Sequence, residues 1–346
     1  MKDTNLIIGK TNSGKTKGIL FKEVKDIIKK DENLFIVNER LEYYKTFAQE
    51  LNEKGYKVYI LNVDDPINSN GYDILAYPYQ KFIQNDKDSS VNYLNSLAHE
   101  IFKPKGNMDP YWDNMAISYM VGLLLTLFNN AKKEEINFGS LCALLNQVNK
   151  KYDDTTLYKS YLGGINSMSS EYLLSSAIEF SPIDTKDSIL SVVRSNLNNI
   201  FMKENLLNML QTNEIDFSFK DKCAFFIVGN NIVTNILVEQ LLKIFKEKNL
   251  SFNYIFDNLE NYELFTSLKD LILNASYLNN KVYIATKNLE QLESIYGKYL
   301  FDKVLNVINL KEEISIIPEG NYQEFPNLKL ANFVYFDLEK FYLKKN

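Results

Sequence analysis

Arginine is almost missing from this chain of 346 residues: it stands only at Arg40 and Arg194, although lysine and arginine together number 39. Any guanidinium contact to a phosphate therefore has just these two candidates. Histidine is rarer still, with His99 alone, which excludes chemistry that needs paired histidines; on a helical stretch it reads as structural. Cys142 and Cys223 are the only cysteines and stand far apart, which argues against a disulfide framework or a zinc site and favours a reducing cytosol. A net charge of −5 gives no global basic footprint, so any nucleic-acid contact has to be local. Charge runs such as Lys132-Lys133-Glu134-Glu135 read as solvated faces. Long apolar runs are lacking too. Met115–Phe128 is broken by Ser118, Tyr119, Gly122 and Thr126 and falls short of the roughly 20 residues of a spanning helix, so it reads as a buried helix. With no charged-then-apolar leader, a soluble, cytoplasmic chain without an intrinsic membrane span is expected.

One segment carries chemistry outright. Gly9-Lys10-Thr11-Asn12-Ser13-Gly14-Lys15-Thr16 is a complete G-x-x-x-x-G-K-[ST] phosphate-binding pattern, and it follows the apolar run Leu6-Ile7-Ile8. The glycines let the backbone curl so that N–H groups across Gly9, Thr11, Ser13 and Gly14 point at phosphate oxygens. Lys15 reaches the terminal phosphates, and the Thr16 hydroxyl ligates Mg²⁺. A helix expected over Lys17–Lys30 adds its positive end to the anion site. The plainer alternative is a chance turn in a polar loop; a strand before it and a helix after it weigh against that. ATP and Mg²⁺ are the expected cofactors.

The length suggests about two domains. Strand-type runs at Leu34–Val37, Lys57–Asn62, Cys223–Val228, Phe252–Phe256, Lys281–Ala285 and Val304–Ile308 alternate with amphipathic stretches such as Glu39–Lys54 and Ile232–Glu247. That alternation predicts an α/β fold with a mainly parallel sheet flanked by helices. Between Val91 and Phe180 the strands stop, and helical spacing appears in Val91–Phe102, Tyr111–Phe128 and Leu141–Val148. Breaks fall at Pro104-Lys105-Gly106 and Gly163-Gly164. The expected organisation is a nucleotide-binding domain of residues 1–90 and 186–346, interrupted by an all-helical insertion over 91–185.

A phosphate loop needs an acidic residue at the end of a buried strand to hold Mg²⁺, and a nearby carboxylate to orient the attacking water. Phe252-Asn253-Tyr254-Ile255-Phe256-Asp257 supplies the first part, with a helix-capping role for Asp257 as the plainer alternative. The next residue is Asn258, whose amide can bond a water but cannot take its proton. Glu260 is the nearest carboxylate along the chain.

Further segments stand in a telling order: Lys54-Gly55-Tyr56-Lys57-Val58-Tyr59-Ile60-Leu61-Asn62, Ser69-Asn70-Gly71-Tyr72-Asp73-Ile74-Leu75, and Asp109-Pro110-Tyr111-Trp112-Asp113-Asn114. They continue with Ser188-Ile189-Leu190-Ser191-Val192-Val193-Arg194-Ser195 and Leu289-Glu290-Gln291-Leu292-Glu293-Ser294-Ile295-Tyr296-Gly297. Together with the phosphate loop and the strand ending at Asp257, the chain resembles, over nearly its whole length, the coupling ATPases of type IV secretion and conjugative DNA transfer.

The resemblance implies a RecA-like P-loop NTPase whose all-helical domain recognises DNA-processing cargo. It implies a homo-oligomer, usually a hexameric ring, or a mixed ring, working on DNA or relaxase–DNA cargo beside membrane-bound secretion-channel proteins. The location implied is cytoplasmic, peripheral at the inner face of the cell membrane. The resemblance carries the family's acidic pair to Asp257-Asn258 and its sensor to Lys287; with Lys15, Glu260 and Arg194, read from the residues themselves, these make the candidate catalytic set, with Thr16 and Asp257 at the metal. The departures are specific. The family's N-terminal membrane helices are absent, its acidic pair appears as Asp257-Asn258, and its glutamine-type sensor falls on Lys287. Its Asp-Pro-Lys-Gly-Glu has become Asn38-Glu39-Arg40-Leu41-Glu42. Trp112 with Asp109, Asp113 and Asn114 reads either as a recognition edge or as a helix cap with a buried aromatic. Arg194 reads as a phosphate contact across subunits or as an exposed helix cation, and Lys287 as a sensor or as compositional drift. Three functions stay open: a DNA-translocating motor, a hydrolysis-poor regulatory or scaffolding relative, and a soluble P-loop kinase or small-molecule NTPase. Asn258 predicts slow hydrolysis that Asn258→Glu would raise.

Overall fold

Buried apolar runs bounded by polar residues become the strands. In chain order these are β1 (Thr4–Ile8), β2 (Leu34–Asn38) and β3 (Lys57–Asn62), a two-residue antiparallel ladder of β4 (Lys151–Tyr152) with β5 (Thr155–Thr156), then β6 (Cys223–Val228), β7 (Asn253–Phe256), β8 (Lys281–Thr286) and β9 (Asn306–Asn309). The computed structural model describes residues 3–103, 109–302, 304, 306–310, 316–328 and 331–345; the expected break at Pro104-Lys105-Gly106 lies outside them. Seven strands form one sheet in the order β3-β6-β2-β7-β8-β1-β9, and every pairing is parallel.

Residues of β2, β6 and β7 are buried throughout, as parallel strands covered on both faces must be. Side chains alternate between those faces. Leu34 and Ile36 join a core with Phe21, Tyr43 and Phe47, whereas Phe35 meets Phe225, Phe245 and Tyr254. The expected bounds of β3, of β6 and of the helix Ile232–Glu247 are those found, while the last strand lies at Asn306–Asn309 instead of Val304–Ile308. The helix after the phosphate loop begins two residues before the expected Lys17, with a wide π-type turn over Lys15–Leu20 that continues into Phe21–Lys29. The next helix runs over Glu42–Glu53 and not from Glu39, because the Asn38 side chain accepts the Arg40 N–H (3.1 Å) and holds those residues in a turn.

The chain divides into two compact units. Residues 1–70 and 215–328 hold the sheet; residues 71–214 and 329–346 are mainly helical. The expected joins at 90/91 and 185/186 fall inside the helices Lys87–Ile101 and Ile183–Phe201. The spine of the helical unit is Pro110–Asn130, started by Asp109, whose carboxylate accepts the Tyr111 N–H at 3.0 Å. Leu123, Leu124 and Leu127 are fully buried, but Trp112 is 37% exposed, so a cap is present without the buried aromatic expected beside it. A Cβ on Gly122 would stand 2.1 Å from Ser175 Oγ, so the hydroxyl of the helix Ser170–Glu179 occupies the space a side chain would take. No helix among the described residues is long and apolar enough to cross a membrane.

Candidate functional site

The Gly9–Thr16 loop leaves the end of β1, where the Gly9 N–H donates to the Thr286 carbonyl of β8 (3.1 Å). Gly14 has φ 86°, a left-handed conformation that favours glycine. A Cβ on Gly9 would come within 2.4 Å of Ser13 Oγ. Lys15 is only 6% exposed and lies back across the loop, its Nζ donating to the carbonyls of Gly9 (2.6 Å) and Lys10 (3.0 Å). Burial lowers its pKa, and the charges of Asp257 and Glu260 work against that shift.

Asp257 stands past the end of β7, where its N–H donates to the Val37 carbonyl of β2 (3.1 Å). It is fully buried. Its Oδ2 accepts from Thr16 Oγ1 at 2.7 Å and from the Tyr43 hydroxyl at 3.0 Å, so it caps no helix but joins the loop to the sheet. Burial raises its pKa, against which the two hydroxyl bonds and Lys15 act. Glu42, one residue before Tyr43, is also raised, first by burial and then by Asp257.

Asn258 takes the left-handed conformation (φ 55°, ψ 47°), which asparagine tolerates well. The turn it makes carries Glu260 inward to 2% exposure. Glu260 Oε1 accepts the backbone N–H of Lys287 (3.1 Å), and its carbonyl accepts from Gln291 Nε2 (3.0 Å). Ser13 Oγ, Asp257 Oδ1, Glu260 Oε2 and the Tyr262 hydroxyl are all buried without a hydrogen-bond partner among the described residues. Because unpaired buried polar atoms are costly, a concentration of them in the loops at one end of a sheet marks a place for a ligand.

A family model described as Type IV secretory system Conjugative DNA transfer matches residues 3–261. The chain belongs to this family. Among curated proteins no sequence match is found. Among solved structures, the bacterial conjugative coupling protein TrwB, lacking its first 70 residues and in complex with sulphate, superposes with a TM-score of 0.61 at 16% identity over 90% of this chain and 70% of that one. TrwB in complex with ADP and Mg²⁺ gives 0.58 at 15% identity, covering 87% and 67%. TrwB with a non-hydrolysable ATP analogue gives 0.59 at 15% identity, with the same coverages. The matched lengths span 67% to 70% of the TrwB chains in these superpositions. The RecA-like α/β fold is thereby the fold of this conjugative DNA-transfer family member.

Within it, Lys15, Thr16, Asp257 and Glu260 converge at the sheet's C-terminal edge, and Lys287 joins them through its backbone. The Lys287 ammonium donates to Asn261 Oδ1 at 3.4 Å. Asn261 in turn donates to Glu39 (3.1 Å), which also accepts from Asn230 (2.9 Å), so a polar chain crosses the ends of β8, β7, β2 and β6. Arg194 is placed elsewhere, on the helix Ile183–Phe201 of the helical unit, where its guanidinium donates to the Leu145 carbonyl at 2.9 Å. Sequence reasoning missed Tyr43 and Tyr262, whose types are too common in this chain to stand out. It named Glu42 only as a departure from a motif.

The residues suit a hard cation. Thr16 offers a hydroxyl oxygen, Asp257 an unpaired buried carboxylate oxygen, and no group of three or more His, Cys, Asp or Glu among the described residues could cage a metal. Two protein oxygens of this kind are compatible with a cation such as Mg²⁺, whose shell phosphates and water commonly complete.

Proposed function

We propose that the chain is an ATP-binding, motor-type subunit of a conjugative or type IV secretion-like DNA transfer system. The observation that carries this reading is the 2.7 Å bond from Thr16 to Asp257, residues 241 apart in sequence, which brings the phosphate loop and the acidic strand end to one point. In this reading Gly9, Thr11, Ser13 and Gly14 cradle the phosphates and Lys15 exchanges its two carbonyl contacts for phosphate oxygens. Thr16 and Asp257 hold Mg²⁺, which when bound draws charge from the phosphates. Glu260 orients the attacking water and accepts its proton: its Oε1 is held by the Lys287 N–H, its Oε2 is unpaired, and its charge reaches Lys15. Asn258 is then the turn residue that delivers Glu260. TrwB, solved with ADP and Mg²⁺, supports the choice of cofactors. DNA or relaxase–DNA cargo, a ring of like or mixed subunits and a station beside membrane-bound channel proteins complete the proposal. In such a ring Arg40 and Arg194 are the guanidinium candidates for a neighbour's phosphates.

Two observations favour the hydrolysis-poor alternative: at the position after Asp257 stands an amide, and the Lys287 ammonium is engaged with Asn261. Steady-state ATPase activity of the whole chain, measured across protein concentrations with and without DNA, separates the two readings. A motor shows turnover that rises with concentration and with DNA. A scaffolding relative binds ATP and leaves it intact under all of these conditions.

A further inference from the structure

The two oxygens of the Asp257 carboxylate have unlike surroundings. Oδ2 accepts two hydroxyl bonds, from Thr16 at 2.7 Å and from Tyr43 at 3.0 Å. Oδ1 is buried and meets no donor among the described residues. With Oδ2 held twice, the carboxylate cannot turn about its Cβ–Cγ bond without breaking both contacts, so the direction of Oδ1 is fixed by two hydroxyls from separate segments. These hydroxyls are not equivalent. Thr16 has a single proton, used on Oδ2, and its lone pairs remain for a cation. Tyr43 does not follow the loop in sequence; it sits on the first turn of the helix Glu42–Glu53 and contributes only its hydrogen bond.

The ring that carries this hydroxyl is itself immobilised. Tyr43 is 1% exposed and packs edge-on against Phe21 with centroids 5.0 Å apart; Phe21 packs in the same manner against Phe47, also at 5.0 Å. Phe21 belongs to the helix that continues from the phosphate loop. The same packing thus ties the loop's helix to the donor that aims Asp257, which is the construction a precise cation site needs.

We infer that Tyr43 is a positioning residue for the cation-side oxygen of Asp257 and sets the affinity of the site for Mg²⁺ while leaving its affinity for the nucleotide itself unchanged. The inference rests on reading the Gly9–Thr16 loop as an Mg²⁺·ATP site. The test is a Mg²⁺ titration of binding of a fluorescent ATP analogue to the full chain, with a parallel affinity measurement in EDTA. In Tyr43→Phe, which keeps the packed ring, the Mg²⁺ midpoint rises about tenfold, at the lower end of the roughly 10–100-fold lost with a partner that orients a metal ligand, and the EDTA affinity stays within about twofold. Tyr43→Gln, which restores a donor without the ring, recovers part of the Mg²⁺ affinity.

Wild-type binding combined with an unmoved midpoint in folded Tyr43→Phe overturns the role of Tyr43 and leaves the nucleotide site standing. A Tyr43→Phe variant whose affinity in EDTA falls as far as its Mg²⁺ midpoint rises assigns the effect to the loop as a whole and overturns it as well. Should Tyr43→Phe not fold, a wild-type midpoint in Tyr43→Gln supports the inference, and a shift as large as that of a donor-free Tyr43→Leu overturns it. Wild-type protein that binds no analogue in either buffer removes the nucleotide site itself.

Discussion

Two clusters of buried polar atoms, one in each unit, are treated in opposite ways. Around Glu179 and Glu171 in the helical unit they are matched: Lys186 pairs with Glu179 at 2.6 Å with side chains 6% and 0% exposed, and Glu179 also accepts from Tyr119. Tyr158 lies between Thr126 (2.8 Å) and Ser175 (3.0 Å), while Glu171 accepts from Tyr161 (2.6 Å) and Asn129 (2.9 Å). At the crest of the sheet the atoms Ser13 Oγ, Asp257 Oδ1 and Glu260 Oε2 have no such partner. Satisfied networks fix which helix packs on which, whereas unsatisfied ones reserve bonding capacity for something that arrives later. Burial of a charge alone therefore does not mark a site; several unfilled valences gathered at one place, as at Ser13, Asp257 and Glu260, do.

Four substitutions can break or sharpen this contrast. Glu260→Gln keeps size and hydrogen bonding and loses the base; turnover falls about 10²–10⁴-fold while ATP affinity by calorimetry stays level. An unchanged rate would return the water-orienting role to another residue. On the helical side, Lys186→Met leaves the buried Glu179 with the Tyr119 hydroxyl but without its cation, and thermal or urea unfolding should register a loss of about 3–5 kcal/mol with nucleotide binding untouched wherever the fold persists. A near-neutral result would mean that water already reaches Glu179 and that the network is less dry than its burial indicates.

Lys15→Ala removes two internal contacts and the phosphate cation together. Folded protein should bind ATP about 100-fold more weakly, in line with roughly 1.5–3 kcal/mol for each hydrogen bond to a charged group. Equal affinity would sink the phosphate-loop reading. The smallest effect belongs to Asn258→Glu. Asn258 sits in the left-handed region, so glutamate there should cost about 1 kcal/mol of stability and add no turnover, because Glu260 already supplies the carboxylate. This reverses the gain expected from sequence; a higher rate in the variant would reinstate the amide at 258 as the defect.

Much of the fold was legible because its strands are short, continuous and doubly covered. Lys57–Asn62 and Cys223–Val228 are apolar runs closed by polar or turn residues, and both are strands at those bounds. Their order was not legible. β6 enters between β2 and β3 although the whole helical stretch separates them in sequence, and a choice of partner at that distance leaves no local mark. The phosphate loop and Asp257 announced themselves through a motif and a strand end. Tyr43 could not, since its hydroxyl meets Asp257 across 214 residues of chain in a sequence that holds 23 tyrosines. Asn258 was read by its chemistry, whereas its backbone angle is what defines its place.

The strand order has a consequence for how the molecule is made. β1 pairs with β8 and β9, β2 with β6 and β7, and β3 with β6, so no two of the first three strands are partners. At about 5–20 residues per second, on the order of 10–30 s pass on the ribosome between completion of β3 and completion of β6. Throughout that interval three apolar segments have no strand partner among the residues made so far, while the helices of residues 71–214 gain one another as partners before β6 emerges. The sheet therefore cannot close until β6 and the later strands are made, and the phosphate loop, the earliest part of the candidate site to be synthesised, meets Asp257 only after 241 further residues.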